Sequence, residues 1–272
     1  MLRHRYKLTY FVLTAIFGLF GLLLYGPILV VFILSFQGER GGLTFPLRGV
    51  SLRWFHSLFF EQQLSGQFWP ALSRSLMLAV VVAIFTLLIS FFAGLAFRRK
   101  FLGSTALFYL TIASLVTPSI LVSLGIGVLY SILGIPKGVF ASGIGVHLTW
   151  TLPVGVLVMF SVFARFDRRL EEAAHDAGAG PFMTVRDIIV PVVLPSLIGV
   201  GVLGLTLSYD EFARSLLTMG IENTLPLELF AMTTNVTTPA IYALGTTTTM
   251  ISFSALAMGG MIVYMLRRNR GT

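Results

Sequence analysis

Long apolar runs alternate with short polar interludes along this chain. No charged residue lies between Lys7 and Gln37. A second run extends from about Leu76 to Phe97 and closes on Arg98, Arg99 and Lys100. A third fits residues 104–133, a fourth Val139–Ala164, a fifth Val192–Leu217 and a sixth Ala240–Leu266, the last closing on "RRNR". About 20 mostly apolar residues cross a bilayer as a helix. The pattern therefore predicts an all-α, polytopic membrane protein with six transmembrane helices, read as one domain over residues 1–272. The first run is far longer than the roughly 7–15 apolar residues of a secretory signal, and no small-residue cleavage site follows it. It is read as a retained helix.

The polar interludes carry their own predictions. Residues 37–71 are aromatic and basic in "LRGVSLRWFHSLF", as in a helix lying at a membrane surface; contact with an outer partner protein is the other reading. "NTLPLELFAM" predicts a short helix before the sixth span. Residues 171–195 read "EEAAHDAGAGPFMTVRDIIVPVVLP". Helix formers up to Asp176 are followed by Gly178, which suits a left-handed C-terminal cap. Pro181 suits a first helical position. The stretch predicts two short helices joined at a glycine bend, with Arg168 able to pair with Glu171 and Glu172 at helical spacing. Pro191 and Pro195 mark re-entry into the membrane.

Composition agrees with the span count. The 272 residues are 56% hydrophobic and only 11% charged, where soluble domains carry about 25%. The net charge of +8 would suggest nucleic acid in a soluble chain. Here the cations cluster beside apolar runs, so they read as topology signals, and no nucleic-acid partner is expected. Thirteen Lys and Arg fall on the side of the two termini under a six-span model, and four (Arg40, Arg48, Arg53, Lys137) on the other. Both termini and the 165–191 loop are therefore expected in the cytoplasm. The chain has no cysteine, which excludes disulfides and thiol chemistry.

Enzymatic signatures are missing. A phosphate-binding loop needs glycines followed by Lys and Ser or Thr, and no "GK[ST]" occurs. None of His4, His56, His147 and His175 stands at metal-ligand spacing from another. No metal or cofactor is called for. His147 near Trp150 is read as a packed histidine, and His175 as a surface residue. The hydroxyls of "TTTT" at 246–249 are expected to bond back to their own helix. Asp210 and Glu211 are the acidic residues placed in an apolar run, at the outer end of the fifth span. Arg214 is spaced to pair with either. Two readings stand open: an ion pair at the helix end, or carboxylates, with Tyr209, along an outer path for a cationic solute.

The spacing Glu172-Ala173-Ala174, three residues, Gly178, nine residues, Ile188, one residue, Val190-Pro191 resembles the EAA motif of ABC-importer permeases. "LSYDEFARSLLTMG", "NTLPLELFAMTT" and "TPAIYALGT" are similar to the second permease of the spermidine/putrescine-type importers, and the similarity covers most of the chain. Val190 and Arg214 depart from that pattern. The resemblance implies a bacterial inner-membrane, multi-pass permease subunit that imports a polyamine or a related cationic or zwitterionic amine. It implies that Glu172, Ala173, Ala174, Asp176, Gly178, Ile188 and Pro191 form a coupling element docking on a separate ATP-binding subunit, present in two copies. A second homologous permease and an extracytoplasmic substrate-binding protein complete the implied assembly. The competing class is an ion-coupled carrier acting without an ATPase, which often shows buried carboxylates and broken helices in both halves.

Overall fold

The computed structural model describes residues 2–99, 101–235 and 238–268. Lys100 and the Arg270 end of the closing basic cluster lie outside the described residues, as do the side chains of Arg3, Arg5 and Lys7. The described chain is built from helices: α1 (Leu2–Leu34), α2 (Arg53–Phe60), α3 (Gln62–Phe97), α4 (Ser104–Val116), α5 (Ser119–Ile132), α6 (Ile144–Ala164), α7 (Arg169–Asp176), α8 (Pro181–Thr184), α9 (Val190–Tyr209), α10 (Leu225–Asn235) and α11 (Ala240–Arg268). Wide π-type turns at Val139–Gly143 and Val185–Ile189 lead into α6 and α9. Among the described residues, five helices are long and apolar enough to span a membrane, and six spans result when the bent pair α4–α5 is taken as one. Helices suit this solvent because lipid offers no hydrogen-bond partner to the backbone.

The chain divides into two compact units. One comprises Met1–Phe68 with Leu229–Met250, the other Trp69–Glu228 with Ile251–Thr272. In the first, buried Gln37 organises the loop after α1. Its Nε2 donates to the carbonyls of Gly42 and Thr44, and its Oε1 accepts from the Arg48 N–H at 2.8 Å. Trp54 of α2 donates to the Gln37 carbonyl at 2.7 Å. The short helix expected in this stretch thus forms, and so does α10.

In the second unit α3, α6 and α9 share an apolar core of Phe91, Met159, Phe163, Ile189, Val193, Leu197 and Val200. A second cluster joins Leu78, Val82, Val139, Val146, Met219 and Leu227. Thr86 and Thr151 hydrogen-bond across α3 and α6 at 2.7 Å, the polar link that helices in lipid use where apolar association is weak.

Three boundaries differ from the sequence pattern. The second span starts earlier, because α3 runs from Gln62. Its polar residues find tertiary partners: Arg74 Nε donates to the Asn223 carbonyl and Ser75 Oγ accepts from the Leu225 N–H. The third span is two helices bent by 104°. Pro118 lacks an N–H and pushes Thr117 into an extended conformation (ψ 126°). The fifth span ends at Tyr209, not Leu217. Residues 210–224 leave the helix as a run of turns that lies against the α4–α5 break. There Ser123 Oγ donates to the Arg214 carbonyl and accepts from the Leu217 N–H. Irregular backbone is tolerated at membrane depth only with such protein partners.

Candidate functional site

The first site is the α7–α8 pair. Asp167 Oδ1 accepts the Arg169 N–H ahead of the helix, and the Arg169 side chain, hydrogen-bonded to Asp167, holds that carboxyl below the usual range. Glu171 and Glu172 lie in the first turn, where carboxylates oppose the helix dipole. At the other end Gly178 has φ +84°. Its N–H meets the His175 carbonyl and the Ala179 N–H meets the Ala174 carbonyl, both at 2.9 Å. This double bond pattern closes a helix through a left-handed residue, a role glycine fills without strain. Pro181 then opens α8.

The glycine bend therefore forms as expected, but the second short helix does not stand alone: α8 runs through the 185–189 turn into α9 as one helical stretch, Pro181–Tyr209. Glu172, Ala173, Asp176 and Gly178 face solvent, and Ala174 is buried. Ile188 sits in the wide turn and Pro191 at the start of α9, both half-buried. Leu170, Phe182 and Met183 are exposed here; sequence reasoning did not single them out, although an apolar residue beside this motif was a usable signal. His175 is exposed, with Nδ1 3.1 Å from the Ala179 carbonyl. One expectation fails. Arg168 donates to the Arg98 carbonyl at 2.9 Å, and Glu171 pairs with Arg98 instead. Helical spacing made the local pair available, but the end of α3 brings a better-buried cation to Glu171. A cavity of about 630 Å³ opens beside this pair, lined in part by Arg99, Glu172, His175 and Thr184.

The second site lies at the far end of α9, about 30 Å away along a 20-residue helix. Arg214 is 1% exposed. Its guanidinium donates to Ser119 Oγ (2.7 Å) and Thr149 Oγ1 (3.2 Å), lies 4.9 Å from the Trp150 ring centre, and reaches Glu211 Oε2 at 3.5 Å. Glu211 Oε1 also accepts the Arg214 N–H. Asp210 takes no part in that pair. It is exposed and accepts a hydrogen bond from Ser252 of α11 (3.1 and 3.2 Å to its two oxygens). Tyr209 is buried, and among the described residues its hydroxyl has no partner. The three residues read as one group thus separate: Glu211 pairs with Arg214 inside the fold, Tyr209 is core, and Asp210 lies at the surface, hydrogen-bonded to Ser252.

His147 is packed, as expected. Its Nδ1 lies 2.8 Å from Ser208 Oγ and its Nε2 2.9 Å from Ser215 Oγ. Ser215 donates its hydroxyl proton to the Glu211 carbonyl, so Nε2 is the donor toward Ser215 and Nδ1 accepts from Ser208. The imidazole joins the end of α9 to the 210–224 turns. Thr247, Thr248 and Thr249 bond back to the carbonyls of Ala243, Leu244 and Gly245, as the sequence suggested, but among the described residues the buried Thr246 hydroxyl has no partner.

Five or six apolar spans among the described residues, a helix pair exposed between two of them, and polar groups gathered where a span breaks are the architecture of a polytopic membrane protein. The family described as binding-protein-dependent transport system inner membrane component matches residues 86–268, and the chain belongs to that family. It is a multi-pass inner-membrane protein. It is 29% identical over 241 residues to the spermidine/putrescine transport system permease protein PotC of Haemophilus influenzae, covering 88% of this chain and 91% of that one. PotC of Escherichia coli K12 is 32% identical over 225 residues (82% and 83% covered). The putrescine transport system permease protein PotI of the same strain is 28% identical over 252 residues (89% and 86%). The fold is that of a bacterial ABC transporter involved in the import of the acidic polysaccharide alginate (TM-score 0.73, 15% identity, 97% of this chain and 96% of that one). It also matches the MetNI methionine ABC transporter in inward-facing form (TM-score 0.63, 15% identity, 76% and 99%).

Proposed function

We propose that the chain is a permease subunit of an ATP-driven importer for a polyamine such as spermidine or putrescine, working as one permease domain over residues 1–272. The observation that carries this reading is the α7–bend–α8 element, closed at Gly178 and presenting Glu172, Asp176, Phe182 and Met183 on its surface. An ATP-binding subunit, in two copies, docks there. A second, homologous permease faces this one, substrate passes between the two, and an extracytoplasmic binding protein delivers it. Hydrolysis belongs to the ATPase, and this chain performs none. The termini and α7–α8 lie in the cytoplasm, on the cation-rich side. The polyamine assignment rests on the PotC and PotI likeness over more than four-fifths of the chain. Asp210, exposed at the end of α9 and not paired with Arg214, supports it, since an ammonium group would meet a carboxyl group there.

The test is reconstitution of the complete complex in liposomes with its binding protein. Labelled spermidine or putrescine should accumulate only with ATP on the ATPase side. Accumulation by the permease alone, driven by an ion gradient, would replace this reading with an ion-coupled carrier. ATP-driven uptake of another solute in place of polyamines would overturn the substrate alone.

A further inference from the structure

We propose that Arg98, which lies outside the EAA motif, is a positioning residue of the transport cycle: it ties α7 to α3 and α6 so that a displacement of α7 moves those spans as well as α9. This rests on the importer reading above. Arg98 stands just past the end of α3, on a chain that packs closely on α6. A Cβ on Gly94, one turn earlier, would lie 2.8 Å from Phe163 Cδ2 and 2.9 Å from Met159 Cβ, so only glycine permits that approach. One turn on, the Arg98 guanidinium lies over the Phe166 and Phe163 rings, 5.0 and 5.5 Å from their centres. It also pairs with Glu171 in the first turn of α7. The Arg98 carbonyl accepts a hydrogen bond from Arg168, just before α7.

One residue therefore contacts three segments by four interactions, and its side chain is only 10% exposed. Partial burial is what gives such a tether force, because an exposed pair of the same kind contributes little. The planar guanidinium suits the role, since it stacks on rings and pairs with a carboxylate at once. Without Arg98, α7 remains joined to α9 through α8 and the 185–189 turn. It also remains joined to α6 through residues 165–168, and to the end of α3 by the Arg168 bond to the carbonyl of residue 98; what would go is the side-chain tether, the pair with Glu171 and the stacking on Phe163 and Phe166. The cavity beside the tether, about 630 Å³, leaves α7 room to shift when that hold is lost.

The experiment uses the complete complex in liposomes and reads solute imported per ATP hydrolysed, after assembled complex has been quantified. Arg98→Ala and Glu171→Ala should each lower that ratio by at least about five-fold, the lower end of coupling between sites, while hydrolysis continues. The double substitution should be no worse than either single, as for residues acting through one contact. Arg98→Lys keeps the charge but not the flat stacking surface, so it should fall between wild type and Arg98→Ala; it serves as the milder variant should Arg98→Ala fail to assemble. The proposal is overturned by an unchanged ratio in either Arg98 variant, or by single effects that multiply in the double. If the wild-type complex imports nothing with ATP, the importer reading fails and this proposal falls with it. Loss confined to the variants cannot be mistaken for that result.

Discussion

Arg214 decides what its neighbours can do. Its buried guanidinium has Glu211, Ser119, Thr149 and Trp150 as partners, so it is committed to the fold. Removing one member of a buried ion pair typically costs about 3–5 kcal/mol, because the other charge is stranded. Arg214→Ala should therefore sharply reduce assembled complex, and Arg214→Met with Glu211→Gln should recover most of it. Asp210 behaves differently. Asp210→Asn can keep the Ser252 hydrogen bond, so assembly should match wild type. Polyamine uptake per complex should drop about ten-fold, the effect of roughly 1.4 kcal/mol of lost attraction. Wild-type uptake would remove Asp210 from the substrate path. The sequence showed that a pair was available here, since the i+3 and i+4 spacings are plain to read. It could not show which carboxylate pairs, because that depends on where the helix stops, and it stops at Tyr209.

Among the elements, the α7 bend was the most legible. Gly178 and Pro181 act through local backbone preferences, which need no knowledge of the rest of the fold. They yield a direct prediction. No atom lies within 4 Å of a Cβ at Gly178, so a substitution there meets strain from φ alone. A β-branched residue at φ +84° is a true outlier, whereas asparagine tolerates it. Gly178→Val should distort the bend at a cost of about 1–2 kcal/mol and abolish substrate-stimulated ATP hydrolysis in the full complex. Gly178→Asn should retain most of it. Equal activity in both variants would make the bend an ordinary loop. The broken span was not legible in this way. Pro27, Pro70, Pro153 and Pro195 all lie inside continuous helices, so a proline in an apolar run does not announce a break. The break at Pro118 is accompanied by Arg214 and by the Ser123 bonds to residues 214 and 217, contributed from about 90 residues away in sequence.

For the whole molecule, the distribution of Lys and Arg is the evident orienting signal. Reporter fusions at residue 45 and at the C-terminus should report opposite sides of the membrane, with the C-terminus cytoplasmic; equal sidedness would defeat the six-span topology. The all-helical membrane architecture, the presence of the long apolar runs and the position of the glycine bend after α7 were determined by the sequence alone. The physical reason is that lipid imposes its demand residue by residue: a stretch must be apolar and about 20 residues long, and its backbone must be satisfied within itself. Only the tertiary structure decided where α9 ends, which carboxylate Arg214 neutralises, and that Arg98 rather than Arg168 holds Glu171. Those outcomes turn on contacts between segments far apart in the chain, 73 residues in the case of Arg98 and Glu171 and 95 for Arg214 and Ser119. Their meeting is set by helix packing, and hydropathy along a chain carries no record of it.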